Sequence, residues 1–280
     1  MNPEKKFESN PFFLKGDNGI GVLLLHGWTS PPDELRPLAE HLNSFGYTVS
    51  APLLLGHGTR PEDLEHVKWK DWLSQSREEL EKLKEHLSFA TGALYNDTKK
   101  DRVFYSGKEP VAKVEKKIFV GGISMGGNLA LMVSDDKSVA GIFTMGAAMH
   151  YKLHYLVKVC LFFMGLTKKY RNKYYPFWVR KKMGDRKVYL RYPIESAKEV
   201  VRLSDATRKF LPQVTKPIFI MQSTSDHMVS RNSPKMITSG VKSKIKEIFW
   251  IENAYHVFAG KKEVWEKIES FIERIVNCES

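Results

Sequence analysis

Short apolar runs alternate with longer helical patterns along most of the chain. Gly21–Leu25 (GVLLL) and Val139–Met145 (VAGIFTM) are compact apolar runs, as expected for strands buried on both faces. From Trp69 to Leu87 and from Lys262 to Cys278, apolar residues recur with the period of an amphipathic helix. The predicted strands span residues 12–14, 21–25, 47–54, 117–120, 139–145, 216–222 and 246–251. This alternation predicts an α/β protein with a mostly parallel sheet flanked by helices.

The helical patterns also predict which side chains face the sheet. A first helix should begin near Pro32-Asp33, and another should cover residues 128–133. The inward residues are expected to be Leu35, Leu38, Leu42 and Phe45 in the first helix, Trp72, Leu80, Leu83 and Leu87 in the second, and Val264, Ile268, Phe271, Ile272 and Ile275 in the last.

Two stretches interrupt this alternation. Residues 88–114 are polar and have no sustained period, so we expect a tolerated surface insertion there. Residues 148–193 follow a sheet strand, are basic and aromatic, and contain an apolar helical run at 156–166. A chain of 280 residues is long enough for one large domain with an insertion or for two small domains. We predict a core formed by 1–147 and 194–280, with 148–193 as a cap subdomain.

Composition gives a broad class and a compartment. The contents of 42% hydrophobic and 27% charged residues are ordinary for a globular protein. No apolar run approaches the roughly 20 residues that span a bilayer, and the polar N-terminal segment does not resemble a secretory signal. Only Cys160 and Cys278 are present, far apart, which argues against a disulfide framework and favours the reducing cytoplasm.

The positive charge is concentrated in one part of the chain. Residues 150–210 hold 16 of the 44 Lys and Arg residues and 4 of the 32 Asp and Glu residues, so they carry the whole net charge of +12. This pattern is typical either of a solvated basic surface or of a site for an anionic partner, such as a membrane, an acidic substrate or nucleic acid. No recognised nucleic-acid motif accompanies it, so we expect no specific nucleic-acid binding.

The strongest chemical signal is a G-x-S-x-G motif, Gly122-Ile123-Ser124-Met125-Gly126, between a predicted strand and a predicted helix. In that context the serine occupies a tight turn that projects its hydroxyl, and glycines are needed where the backbone passes close by. Ser124 is therefore the candidate nucleophile. The positive end of the following helix would favour developing oxyanion charge.

A serine nucleophile needs an imidazole to accept its proton. His256 follows the last predicted strand, whereas the main rivals, His26 and His57, precede Ser124 and so break the order serine, acid, histidine that accompanies this motif. Asp226, in the loop after the strand at 216–222, is the candidate acid that orients the imidazole. Glu252 is the alternative acid, but it lies next to the strand that carries His256.

Two backbone N–H groups are candidates for an oxyanion hole. One belongs to Met125, directly after the nucleophile, and the other to Trp28, in the loop after the strand that ends at His26-Gly27. The histidines lack the spacing of metal ligands, so we expect no metal and no cofactor.

Taken together, these residues resemble bacterial carboxylesterases and monoacylglycerol lipases of the α/β-hydrolase superfamily. The matching stretches are residues 23–30 (LLLHGWTS), 56–58 (GHG), 122–127 (GISMGG), 225–229 (SDHMV) and 255–257 (YHV). The resemblance implies an α/β-hydrolase fold that cleaves carboxylic esters, such as monoacylglycerols or other medium- and long-chain esters. It implies catalysis by Ser124, His256 and Asp226 through an acyl-enzyme.

The cap region departs from that family because it is unusually basic and aromatic. We take Trp28, His57, Phe162 and Phe163 as candidate substrate-binding residues, with the cap forming an apolar acyl tunnel that rests on anionic lipid. The aromatic residues are equally suited to be the cap's own core. Alternatives that stay open are thioesterase, acyltransferase or amidase chemistry on the same residues, or a non-catalytic protein that binds lipid or nucleic acid.

Overall fold

Seven strands, six of them parallel, form the main sheet of the computed structural model, which describes residues 8–90, 105–106, 109–110, 117–151, 153–173 and 186–278. The strands are β1 (Phe12–Leu14), β2 (Gly21–Leu25), β3 (Thr48–Ala51), β4 (Tyr105–Ser106), β5 (Glu109–Pro110), β6 (Ile118–Ile123), β7 (Val139–Met145), β8 (Tyr170–Asn172), β9 (Arg191–Pro193), β10 (Ile218–Ser223) and β11 (Lys246–Ile251). The helices are α1 (Arg36–Ser44), α2 (Trp69–Ala90), α3 (Met125–Met132), α4 (His154–Thr167), α5 (Ile194–Phe210), α6 (Ser233–Gly240) and α7 (Lys262–Cys278).

The order of strands across the main sheet is β1-β3-β2-β6-β7-β10-β11. Only β1 runs antiparallel to its neighbour, β3, and the other neighbouring strands are parallel. The carboxyl ends of β2, β6, β10 and β11 therefore lie along one edge of the sheet, where ligand sites form in this class of fold. The predicted α/β-hydrolase architecture is confirmed.

Helices cover both faces of the sheet. One core is formed around α2, α3 and α5, and the other around α1 and α7. The side chains predicted to face inward in the first, second and last helices are at most 3% exposed, apart from Phe45. Phe45 is 47% exposed because α1 ends at Ser44 and its side chain leaves the apolar face.

Three of the elements whose boundaries differ from the predicted ones have a clear physical reason for the difference. Strand β3 stops at Ala51 because Pro52 has no N–H to continue the ladder. Strand β6 continues to Ile123, since Gly121 and Gly122 stay paired with β2 although they carry no side-chain signal. Helix α2 runs to Ala90, so the predicted insertion begins later than residue 88, and most of it lies outside the described residues.

The segment predicted as a cap, residues 148–193, follows β7. We call it the cap segment; residues 152 and 174–185 of it are not among the described residues. Its helix α4 packs on α5 through Leu161, Ile194 and Val201. Strands β8 and β9 form a separate antiparallel pair that ion pairs tie to the loop after β3. In the described part of the chain, no helix is both long enough and apolar enough to cross a membrane.

Candidate active site

Ser124 occupies the turn between β6 and α3 with φ 54° and ψ −115°. A positive φ is uncommon for a residue with a side chain, and such strain persists where the surrounding structure enforces it. Here the Ser124 N–H donates to the carbonyl of Met145 at 2.9 Å, and the Ser124 carbonyl accepts from Gly127 and Asn128 in the first turn of α3. The hydroxyl is thus held on a rigid bend at the carboxyl end of a central strand.

The glycines around Ser124 are required by close backbone approach. A Cβ on Gly126 would lie 1.9 Å from the carbonyl oxygen of Leu25, in the adjacent strand β2. A Cβ on Gly122 would lie 2.3 Å from the carbonyl carbon of Gly126. Both obstacles are backbone atoms of buried elements, so a side chain at either position would push the nucleophile turn off the sheet.

Asp226 and His256 come from the loops after β10 and β11, two neighbouring parallel strands. The His256 Nδ1 lies 2.7 Å from the Asp226 Oδ2, and the side chains are 0% and 6% exposed for Asp226 and His256. Asp226 Oδ2 also accepts from Gln222 Nε2 at 2.8 Å, while Oδ1 accepts the N–H groups of Met228 and Val229 at 2.8 and 2.9 Å. These bonds fix the carboxylate so that it accepts a hydrogen bond from Nδ1 of His256. Nε2 takes no part in this contact.

The environment keeps Asp226 ionised. Burial acts to raise the pKa of Asp226, but the hydrogen bond and charge of His256 and the two backbone N–H groups outweigh it and lower the pKa below its ordinary value. A permanently charged carboxylate at this position stabilises an imidazolium and selects the tautomer with hydrogen on Nδ1.

The other ring nitrogen, His256 Nε2, is buried and has no hydrogen-bond partner among the described residues, Ser124 included. Ser124 and His256 nevertheless line the same cavity. A buried polar atom without a partner costs free energy, so its retention calls for a functional explanation. Nucleophile–base hydrogen bonds are often long or poorly aligned before substrate binds, so the absence of a Ser124–His256 hydrogen bond is compatible with such a pair.

The loop after β2 and the start of α3 carry backbone donors at the cavity that Ser124 lines. Within the described ranges, neither the Trp28 N–H nor the Met125 N–H donates to a protein acceptor. The loop is fixed by Glu34, whose Oε1 accepts the Gly27 N–H at 2.8 Å. The Trp28 indole is fixed by a 2.8 Å bond from Nε1 to Ser196 Oγ in α5. Two unpartnered N–H groups on fixed elements are what stabilisation of an oxyanion needs.

A cavity of about 450 Å³ connects these groups, a size typical of small-molecule sites. Its apolar wall comes mainly from α4 and α5 and consists of Leu156, Val157, Leu161, Met164, Ala197, Val200 and Val201. Its polar wall includes Thr29, Ser30, Glu34, Arg171, Lys173 and Arg186.

Of the predicted substrate-binding residues, only Trp28 lies among the residues that line this cavity. Phe162 and Phe163 are 59% and 62% exposed, on a face of α4 that the cavity does not reach. Helix α4 is apolar on nearly every side, so its sequence did not indicate which face turns inward. In the structure Leu161 and Met164, rather than Phe162 and Phe163, are the residues of this part of α4 that line the cavity.

His57 is likewise away from the cavity lining. It is 3% exposed, its Nδ1 donates to the carbonyls of Leu54 and Leu55, and its ring lies parallel to that of Tyr189. His26 Nε2 accepts the Leu54 N–H at 3.0 Å, so both upstream histidines shape the turn after β3. Among the residues described, no group of three His, Cys, Asp or Glu side chains could hold a metal ion.

Three contributors to the site were not predicted: Gln222, Glu34 and Lys173. Gln222 was expected only as the end of a strand, and in a strand-to-loop segment its spacing from Asp226 does not predict a contact. Glu34 lies in the first helical turn after the Trp28 loop, and Lys173 was one of many basic cap residues. Sequence alone did not separate these two from ordinary surface charges.

Several known proteins resemble this chain in sequence. The sequence profile of the family described as serine aminopeptidase, S33, matches residues 106–263. The chain is 30% identical to a thermostable monoacylglycerol lipase of Bacillus sp. (strain H-257), over 89% of this chain and 87% of that protein. It is 29% identical to a carboxylesterase of Bacillus subtilis (strain 168), over 95% and 96%.

Solved structures give the same result for the fold. A structure of the metagenome-derived lipolytic enzymes LipS and LipT matches with a TM-score of 0.75 at 26% identity, covering 95% of this chain and 97% of that one. A soluble variant of a monoglyceride lipase from Saccharomyces cerevisiae, in complex with a substrate analog, matches with a TM-score of 0.73 at 15% identity, covering 98% and 95%. At that identity the second match concerns the fold alone.

Proposed function

Because the chain belongs to the serine aminopeptidase S33 family of α/β-hydrolases and is an esterase-like serine hydrolase, we propose that it cleaves carboxylic esters through Ser124, His256 and Asp226. The observation that carries this proposal is the His256–Asp226 pair at 2.7 Å, with His256 Nε2 unpartnered among the described residues and with His256 and Ser124 lining the same cavity. Asp226 engages Nδ1, so Nε2 is the ring nitrogen that is available to accept a proton.

In the proposed reaction, Ser124 Oγ attacks the ester carbonyl while His256 Nε2 accepts the hydroxyl proton. The carbonyl oxygen becomes an oxyanion that the N–H groups of Trp28 and Met125 stabilise. Collapse expels the alcohol, which takes the proton from His256, and leaves an acyl-enzyme. Water then attacks the acyl-enzyme with the same base and releases the carboxylic acid.

The cavity favours an ester with an apolar acyl chain. Seven apolar side chains of α4 and α5 line one wall, enough to bury a medium or long chain. On this basis we propose monoacylglycerols and related esters as substrates. An aminopeptidase would instead need an anionic group for the substrate's ammonium, whereas the one carboxylate lining the described cavity, Glu34, is already paired with Arg186.

We also propose that residues 148–193 act as a cap over the site and that the cap makes peripheral contact with an anionic membrane from the cytoplasmic side. Helix α4 exposes Tyr155, Phe162, Phe163 and Leu166, each more than half exposed, and exposed Lys168 and Lys169 follow its end. Apolar side chains flanked by cations suit an anionic lipid surface, with about 1 kcal/mol per basic residue. Equal sedimentation with neutral and anionic vesicles would contradict the membrane contact.

Labelling with a fluorophosphonate tests the nucleophile. We expect the wild-type chain to gain one adduct on the peptide that contains Ser124, and Ser124→Ala to lose both the adduct and turnover. Ser225→Ala is a matched control, because Ser225 is an exposed serine outside the cavity lining. A chain-length series of p-nitrophenyl esters and monoacylglycerols then defines the acyl preference. Labelling that persists in Ser124→Ala would contradict the assignment.

A further inference from the structure

The polar wall of the cavity carries an excess of positive charge. Arg171, Lys173 and Arg186 all line it, and Glu34 is the one carboxylate among its lining residues in the described ranges. Ester hydrolysis at Ser124 needs none of these cations. Their presence in a mostly apolar cavity therefore points to a property of the substrate.

The contacts of the cations leave hydrogen-bonding capacity unused. Arg186 Nη2 donates to Ser30 Oγ at 3.1 Å and pairs with Glu34 Oε2, while Arg186 Nε is buried and has no partner among the described residues. Lys173 Nζ donates to Thr29 Oγ1 and forms no ion pair with a described residue. Glu34 is thus paired with only one of the two cations, and donors remain for a further acceptor.

These donors lie beside the reacting centre. Lys173 Nζ is 5.8 Å from the centre of the Trp28 ring, and Thr29, its hydrogen-bond partner, directly follows Trp28 in the oxyanion loop. Ser30, which receives the bond from Arg186, is the next residue. A substrate whose carbonyl oxygen sits on the Trp28 N–H would hold its neighbouring substituents within reach of this group.

The charge balance favours an added anion. Burial, together with the charge of Arg186, lowers the pKa of Lys173 to about 7, although Glu34 acts in the opposite direction. Charges removed from water without a full partner are costly. A phosphate or carboxylate placed here would form charge-assisted hydrogen bonds with donors that already lack acceptors.

We propose that Lys173 and Arg186 form a subsite for an anionic group, a phosphate or a carboxylate, on the ester substrate. The inference rests on the proposed esterase function and specifies its substrate class: amphiphilic esters that carry a negative charge in addition to the scissile bond. The apolar wall of α4 and α5 accepts the acyl chain, so a phosphate on the alcohol portion is expected to give the larger effect.

Two matched substrate pairs test the subsite. One pair is 1-decanoylglycerol 3-phosphate and 1-decanoylglycerol, which places the anion on the alcohol. The other is 4-methylumbelliferyl hydrogen suberate and 4-methylumbelliferyl octanoate, which places it on the acyl chain. Assays run below the Lys173 pKa of about 7 keep the ammonium charged. We expect kcat/KM to favour the anionic member of at least one pair by about tenfold, the effect of about 1.4 kcal/mol.

Lys173→Met should reduce this preference by about tenfold, since charge-assisted hydrogen bonds have that magnitude. Lys209→Met is the matched control, because Lys209 is an exposed lysine in the last turn of α5 and outside the cavity lining, and it should leave both ratios unchanged. No anionic preference in either pair would overturn the subsite. An equal loss of kcat/KM on both members of a pair in Lys173→Met would also overturn the subsite, because it would indicate a purely structural role for the lysine.

A binding measurement separates the subsite from the esterase proposal. Titration calorimetry with decyl phosphate and with 1-decylglycerol ether, both below their micellar concentrations, needs no turnover. We expect decyl phosphate to bind about tenfold more tightly to the wild-type chain, and Lys173→Met to abolish the difference. If no ester is hydrolysed but this difference is present, the esterase proposal fails and the subsite stands. Equal affinities would overturn the subsite even if esters are hydrolysed.

Discussion

Replacing Asp226 with asparagine tests the proposed charge arrangement with almost no change in shape. The carboxylate accepts four hydrogen bonds, two from the backbone of Met228 and Val229 and two from His256 and Gln222. An amide has one oxygen and one NH2 group. If the oxygen keeps the two backbone donors, the NH2 group must face His256 Nδ1, which then becomes an acceptor.

The expected loss of rate follows from that reversal. With Nδ1 accepting, the proton of the neutral imidazole moves to Nε2, the nitrogen that should receive the proton from Ser124. The corresponding change in a serine protease lowers kcat by about 10⁴-fold, equivalent to about 5 kcal/mol of transition-state stabilisation. We expect a loss of this order in kcat, with a much smaller change in KM.

The assay is hydrolysis of p-nitrophenyl octanoate together with the rate of fluorophosphonate labelling, because both need an activated Ser124. Asp135→Asn is the control: Asp135 forms an exposed ion pair with Arg77, whose loss should cost less than about 1 kcal/mol of stability. If Asp226→Asn remains folded and keeps its kcat within tenfold of wild type, the role assigned to Asp226 is wrong.

Three further predictions concern packing, pH and the oxyanion loop. Gly126→Ala would place a Cβ 1.9 Å from the Leu25 carbonyl oxygen, so the backbone must shift. A shift that costs about 3 kcal/mol of stability should lower Tm by at least about 6 °C. An unchanged thermal melt would contradict the close-approach argument. Burial lowers the pKa of Lys173 to about 7 in the folded chain, against about 10.4 in the unfolded chain. Between these pH values the unfolded chain binds more protons than the folded chain, so the stability of the wild type should rise with pH across this window. Urea unfolding of wild type and Lys173→Met at both ends of the window checks this, and parallel pH profiles would refute it. Ser196→Ala removes the acceptor of Trp28 Nε1, and the loss of one such bond should lower kcat/KM about three- to tenfold, with wild-type kinetics as the contrary result.

Much of the fold was predictable because buried apolar residues recur along the sequence with the period of a helix or form short apolar runs in strands. Val139–Met145, Lys246–Ile251 and Lys262–Cys278 begin and end at the predicted residues, because the apolar or amphipathic pattern of each gives way to polar or turn residues at its end. The approach of Asp226 to His256 was also predictable. Both follow neighbouring strands of a parallel sheet, whose carboxyl ends share one edge.

Features that depend on orientation were not predictable. Helix α4 is apolar around most of its circumference, so the sequence did not distinguish the cavity-facing Leu161 and Met164 from the exposed Phe162 and Phe163. The partners of Lys173 and Glu34 are equally hidden, because each contact joins residues more than a hundred positions apart. A charge count located the basic region, but the count did not indicate that part of it faces the cavity.

The two contacts of the Glu34 carboxylate matter for any engineering of the enzyme that exchanges the cap segment. One oxygen of its carboxylate holds the Gly27 N–H and the other holds Arg186 of the cap segment, so a single side chain spans two parts of the protein that a designer would treat as separate modules. A grafted cap without a cation at that point would leave the carboxylate unneutralised next to the catalytic loop. Chimeras should therefore transfer Arg186 with the cap or replace Glu34 by glutamine in the recipient.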